Sequence, residues 1–439
     1  MSRQDTPQPP DGGLPSPQPS PRGRGSKAPP PRARGRGRGW GVSLLAALVL
    51  LAGVLVLFRQ PLWDRLDLET KHRIVAVYSR LTARRVETAD EIQTSPQVRN
   101  RIGANVFLDQ EVEIENRRRS LEMLRAAGVG WIRQQIPWKE IERDAKGDFW
   151  DRKWNKDAWA NYDNVIDLAH EYNLDVIARV DTSPDWSRPG RSPDDDWDQA
   201  PPERFEDYGD FLSTLATRYR GKIKAYQIWN EPNLAIEWGQ QAPDPAGYTR
   251  LLTIAYARIK AADPDAIVLS AAMAPTIEES DRALNELVFL QQMYDAGARG
   301  AFDVLAVQAY GLRSGPDDLR LTSGDVNFSR TLVVRELMVK NGDAARPIWA
   351  TEVGWNAPPA GYSGPIPYGA VNEQLQAKYT IRAFERAREE WPWMGVMAVW
   401  FFKLPEPWEG QPWYFFRMVS PDFRPYPVYE ALRAYAGPR

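Results

Sequence analysis

The chain has 439 residues, 43% hydrophobic and 26% charged, enough apolar material to bury at least one large core. A net charge of -2 argues against a nucleic-acid partner, and the absence of cysteine removes disulfides and thiolate chemistry. With only His72 and His170 present there are too few imidazoles for a histidine-built metal site, so no metal or cofactor is expected and any chemistry falls to carboxylates.

Met1 to Gly39 is rich in Pro, Gly, Ser and Arg and cannot bury enough apolar surface to fold, which predicts a disordered tail. Trp40 to Phe58 follows as an apolar run without a charge, long enough to span a bilayer core, and no small-x-small cleavage site follows it. It reads as a single transmembrane signal anchor. The Arg-rich flank before it puts the N-terminus in the cytoplasm and the bulk of the chain outside the cytoplasmic membrane. Residues 59–100 alternate charge with Ile74, Val75, Tyr78 and Leu81 at near-helical spacing and read as a juxtamembrane stem, free to dock on the larger C-terminal domain.

From residue 101 to 439 strands and helices alternate. Expected strands are 102–107, 130–135, 175–180, the stretch ending at Asn230-Glu231, 266–272, 302–310, 347–351 and 395–402. Expected helices cover 117–127, a stretch through Tyr162, Ile166 and Ala169, then 205–219, 248–261, 284–296, 330–340 and 371–388. Eight strands alternating with helices, without a sequence repeat, predict an α/β fold of the (β/α)8 TIM-barrel class.

Two strands end alike. Tyr226-Gln227-Ile228-Trp229-Asn230-Glu231-Pro232-Asn233 delivers a glutamate where Pro232 ends the pairing, and Pro347-Ile348-Trp349-Ala350-Thr351-Glu352-Val353-Gly354-Trp355 delivers another just before a glycine. Ring faces beside Glu231 can exclude water and raise a carboxyl pKa, which suits a proton donor. A glutamate at each of two strand ends is the minimum needed to cleave a glycosidic bond through a covalent intermediate. Trp186 after the third strand and Trp355 after the seventh, with Trp138, Trp238, Trp408 and Trp413, fall in loops at the expected barrel mouth, where flat rings can stack on sugars; Trp186 and Trp355 are read as substrate-binding. Asp194-Asp195-Asp196 reads as a solvated loop, since no calcium-loop spacing surrounds it.

Trp229-Asn230-Glu231-Pro232-Asn233 together with Ala350-Thr351-Glu352-Val353-Gly354-Trp355 resembles the clan A glycoside hydrolases, most closely families 39 and 5. The resemblance implies a retaining β-glycosidase acting on an oligo- or polysaccharide, with Glu231 as acid/base and Glu352 as nucleophile, their carboxyls about 5 to 5.5 Å apart. It implies further that Asn230 bonds the sugar 2-hydroxyl, that Arg133 lies under the nucleophile, that Tyr310 bonds the nucleophile and that Trp400 floors the first sugar subsite. One departure is Gln308, where many clan members carry histidine two residues before the tyrosine. Three other readings stay open: a transglycosidase, a catalytically silent polysaccharide-binding module tethered to the membrane, and a membrane scaffold that recruits partners through its tail.

Overall fold

A computed structural model describes residues 60–94, 98, 100–190, 199–322 and 324–437. The disordered tail and the anchor expected at 40–58 lie outside the described residues, as does Asp194-Asp195-Asp196. Among the described residues no helix is long and apolar enough to cross a membrane.

Eight parallel strands form one sheet: β1 (Ile102–Val106), β2 (Trp131–Pro137), β3 (Asp175–Asp181), β4 (Ile223–Ile228), β5 (Ile267–Leu269), β6 (Leu305–Tyr310), β7 (Ile348–Gly354) and β8 (Met394–Val399). They are hydrogen-bonded in the order β5-β4-β3-β2-β1-β8-β7-β6. The ring comes round between β5 and β6 through parallel bridges at Leu269 with Val304 and Met273 with Val307. Ser270 stitches this seam: its N–H donates to Val304 O at 3.1 Å, and its hydroxyl accepts from Ala306 N at 3.1 Å. That side-chain bond stands where a ladder carbonyl would be, which explains why β5 is three residues long and not the seven expected.

Each strand is followed by a helix: α1 (Ile114–Ala126), α2 (Ala160–Glu171), α3 (Phe205–Arg218), α4 (Pro245–Ala262), α5 (Glu286–Asp295), α6 (Arg330–Lys340), α7 (Glu373–Glu390) and α8 (Pro427–Ala436). Local chemistry sets their starts. Asp244 accepts from Gly247 N ahead of Pro245 in the first turn of α4, and Asn372 accepts from Leu375 N at α7. The last helix, α8, has no counterpart among the expected helices; its short apolar stripe of Val428, Tyr429 and Leu432 docks beside α7.

The barrel interior is filled below its mouth by Trp131, Ile177, Leu269, Val304, Trp349 and Val396. Trp131 and Trp349 meet edge to face with ring centroids 5.0 Å apart. Gly395 on β8 makes room for them, because a Cβ there would stand 2.0 Å from the Trp349 indole nitrogen. Their bulk leaves only the upper layer of inward positions free for polar side chains.

Ahead of the barrel, a stem helix (Leu68–Thr82) and the irregular chain after it lie against the barrel's outer helices. His72 Nδ1 meets Tyr379 O–H at 2.8 Å, Ser79 Oγ accepts from Leu319 N at 2.8 Å, and Arg84 grips both oxygens of Glu336 at 2.9 and 2.8 Å. Further along, Arg335 donates to Thr88 O and Trp393 donates to Asp90.

Candidate active site

Inward positions of four strands build the polar layer beneath the mouth. Arg133 on β2 is buried at its centre and spends its guanidinium on four partners. Nε donates to Gln227 on β4 at 2.8 Å, Nη1 to Asn105 on β1 at 2.7 Å and to Glu352 on β7 at 2.9 Å, and Nη2 to Asn230 at 2.9 Å. Asn105 in turn donates to Thr351 O at 2.9 Å, and Gln227 donates to Trp229 O at 2.9 Å. One buried cation thus fixes the carbonyls and side chains on which both glutamates stand, the situation in which a planar fork of donors cannot be replaced by an ammonium.

After β4 the chain turns sharply over the barrel rim. Trp229 N–H donates to Val180 O at 3.0 Å, and Glu231 N–H donates to Ala272 O at 3.0 Å, so the turn is pinned to the strands on either side. Trp229 and Glu231 both take positive φ, 69° and 45°, a region unfavourable to side-chain-bearing residues. The turn is over-determined by Asn233, whose amide donates to the carbonyls of Ala274 and Leu284 and whose Oδ1 accepts from Ala274 N.

Glu231 and Glu352 line one cleft of about 580 Å³ together with Asn230, Gln308, Tyr310 and Trp400. Their environments differ. Gln308 donates to Glu231, and burial, reinforced by the charges of Glu237 and Glu352, pushes the Glu231 carboxyl up to about 8. Glu352 accepts from Arg133 through one oxygen and from the Tyr310 hydroxyl, at 2.5 Å, through the other. Burial and the neighbouring Glu352 charge push the Tyr310 phenol well above its ordinary range, so it stays a donor. One carboxyl therefore holds a proton at neutral pH while the other is ion-paired and doubly hydrogen-bonded.

The tryptophans separate by position. Trp400, Trp408 and Trp413 line the cleft, with Phe107 edge-on to Trp400 at 5.8 Å and Trp408 nearly half exposed at 49%. The sequence reading puts Trp355 and Trp186 at sugar subsites; the structure instead packs them behind the wall. Trp355 is fully buried and donates its indole N–H to Ser314 O at 2.7 Å. Trp186 stands edge-on to Trp138 and donates to Glu142 O at 2.7 Å. Trp138 and Trp238 are likewise buried in the layer between barrel and helices. Direction, which depends on loop path, decides between stacking and packing.

Two charged residues of the cleft have no place in the sequence reading, Arg179 and Glu237. Arg179 lies two residues beyond the inward-facing Ile177 on β3, so period-2 alternation could have flagged it. Its Nε donates to the fully buried Asp181 at 2.6 Å. Glu237 belongs to a single 3₁₀ turn, Ala235–Trp238, held by Trp229, whose indole donates to Glu237 O at 2.9 Å. Burial and, among neighbouring charges, Asp181 and Glu352 push the Glu237 carboxyl up to about 7 against the pull of Arg179. Among the described residues no three His, Asp or Glu side chains converge to hold a metal ion.

Residues 97–279 match the family described as "Cellulase (glycosyl hydrolase family 5)". No curated protein matches the sequence significantly. Among solved structures, the chain is similar to a family 39 glycoside hydrolase from the gut symbiont Bacteroides cellulosilyticus WH2, with a TM-score of 0.59 and 17% identity over 80% of this chain and 65% of that one. It is also similar to a family 39 enzyme from Xanthomonas axonopodis pv. citri, with a TM-score of 0.52 and 14% identity over 80% of this chain and 67% of that one. A third likeness is to a family 5 protein from Streptomyces cattleya in complex with Manb1-4GlcNAc, with a TM-score of 0.54 and 17% identity over 76% of this chain and 79% of that one. At these identities the structural likenesses are of fold. By fold around the barrel and by sequence over residues 97–279, this chain resembles the clan A glycoside hydrolases.

Proposed function

We propose that the protein is a retaining β-glycosidase that cleaves oligo- or polysaccharides. The observation that supports this reading is the contrast within one cleft between a proton-bearing Glu231 and an ion-paired Glu352. Glu231 gives its proton to the glycosidic oxygen as the bond from that oxygen to the anomeric carbon breaks. An oxygen of Glu352 attacks that carbon from the opposite face and forms an ester. Glu231, now a carboxylate, takes a proton from the incoming water, whose oxygen displaces Glu352 and releases the sugar with its configuration retained. Asn230, held by Arg133, is positioned to donate its amide to the sugar 2-hydroxyl. Gln308 stands where the resembling families often have histidine, and here it donates to the acid.

The test is trapping. A panel of aryl 2-deoxy-2-fluoro-β-glycosides should label the protein, and mass spectrometry of its peptides should place the label on Glu352. Label on another residue would overturn the assignment, and absence of label across the panel would overturn the reading.

We also propose that Trp40 to Phe58 anchors the chain in the cytoplasmic membrane with the barrel on the outer side. The charge-free run and its Arg-rich flank support this. The full chain should sediment with membranes and the barrel should be open to added protease in spheroplasts; a chain starting at residue 60 that still sediments would count against it.

A further inference from the structure

The cleft is asymmetric, and the asymmetry can be mapped onto the two halves of a bound saccharide. Glu352 ends β7, and beside it, after β8, come the aromatic groups Trp400, Trp408, Trp413 and Phe416. Glu231 follows β4, and on its side lie Arg179 of β3 and Glu237 of the same loop. In a retaining displacement the sugar that becomes esterified sits over the nucleophile, while the departing sugar extends from the oxygen that the acid protonates. The aromatic side therefore receives the glycosyl unit, and the polar side faces the leaving group.

On that side two hydrogen-bonding groups are fixed yet unspent. Arg179 is locked by its Nε bond to Asp181, itself held by Gln135 at 2.7 Å, and among the described residues neither of its Nη nitrogens makes a hydrogen bond. The Glu237 carboxyl likewise has no hydrogen bond or ion pair among the described residues; its turn is held by backbone contacts to Leu234 and Trp229. The two do not pair with each other, although both line the cleft. Both side chains are partly buried and open onto the cleft, where a bound sugar can reach them.

Resting on the glycosidase reading, we propose that Arg179 and Glu237 form the leaving-group subsite, which takes a neutral sugar by its adjacent hydroxyls. Glu237 accepts from one hydroxyl and an Arg179 Nη donates to its neighbour, two complementary bonds that an aryl or alkyl aglycone cannot make. Charge decides against an acidic sugar. Arg133 and Arg179 are already matched by Glu352 and Asp181, so a sugar carboxylate would add its charge beside Glu237 with no further cation among the described cleft residues to balance it. A subsite for a departing sugar also binds an arriving one, so it can be read on the covalent intermediate without knowing the natural polymer.

The experiment uses the full chain trapped as its 2-deoxy-2-fluoroglycosyl ester on Glu352. Neutral monosaccharides and disaccharides added as acceptors should accelerate release of the label by about tenfold or more, with saturation, and yield a transfer product; uronic acids should not. In Glu237→Ala and in Arg179→Lys the acceleration should fall to within about twofold of release by water alone. Using two variants covers the loss of folding in either. Trapping without acceleration by any neutral acceptor, acceleration that survives both substitutions, or uronic acids that match neutral sugars would each overturn the subsite while leaving the glycosidase reading intact. Failure to trap at all would overturn that reading, and this inference with it.

Discussion

Glu231 is held in a conformation and an environment that the fold alone does not need. Its φ is positive, its carboxyl is buried with other acids near it, and its proton is retained to about 8. A carboxyl whose folded pKa lies above its unfolded value stabilises the fold below the unfolded pKa and loses that contribution as pH rises toward the folded one. Stability should therefore decline between the ordinary glutamate range and pH 8, and Glu231→Gln, which cannot ionise, should melt about 2 °C or more above wild type at pH 8, with the gap closing toward pH 5; differential scanning calorimetry at both pH values checks this. Activity follows the same proton. With an unactivated glycoside, kcat/KM should fall as pH rises through about 8, and Glu231→Gln should lose about 100-fold or more while good aryl leaving groups lose less. Glu352→Gln should lose about 1,000-fold or more with every leaving group, because the ester cannot form.

At the scale of elements, the alternation of strands and helices is readable from the chain because burial repeats every two residues in one and every three to four in the other. The strand-end glutamates are readable for the same reason: Pro232 and Gly354 punctuate the strands that carry them. What lies in the loops is not. Whether Trp355 or Trp413 meets the cleft depends on the path of residues 355–372 and 403–417, and no local pattern encodes that path. Glu237 escapes for a related reason, since a single 3₁₀ turn has no periodicity to announce its facing. The distinction has measurable content. Trp355→Ala should cost about 3 to 5 kcal/mol in a urea melt, because a fully buried indole and its bond to Ser314 are lost, with little change in KM for the folded fraction. Trp400→Ala should do the reverse, raising KM with a small stability loss, since that ring is half-buried on the cleft wall.

For the molecule as a whole, residues 60–94 belong to the barrel's fabric. Arg84 on Glu336, Trp393 on Asp90, Arg335 on Thr88 and His72 on Tyr379 tie the stem to α6, α7 and the turn before β8. A chain starting at residue 101 would leave these groups without partners. It should melt several degrees below a chain starting at residue 60, a difference visible in thermal unfolding followed by circular dichroism; equal melting temperatures would mean the stem contributes nothing. Arg84 and Glu336 alone should account for little of it, since Arg84 is 43% exposed and water screens the pair.

A stem riveted at several points cannot behave as a slack leash. A pull applied at Gln60 is shared among several side-chain fastenings on α6, α7 and the turn before β8, so residues 60–94 and the ring move as one piece. Severing the Arg84, His72 and Asp90 fastenings would let that segment and the ring move independently.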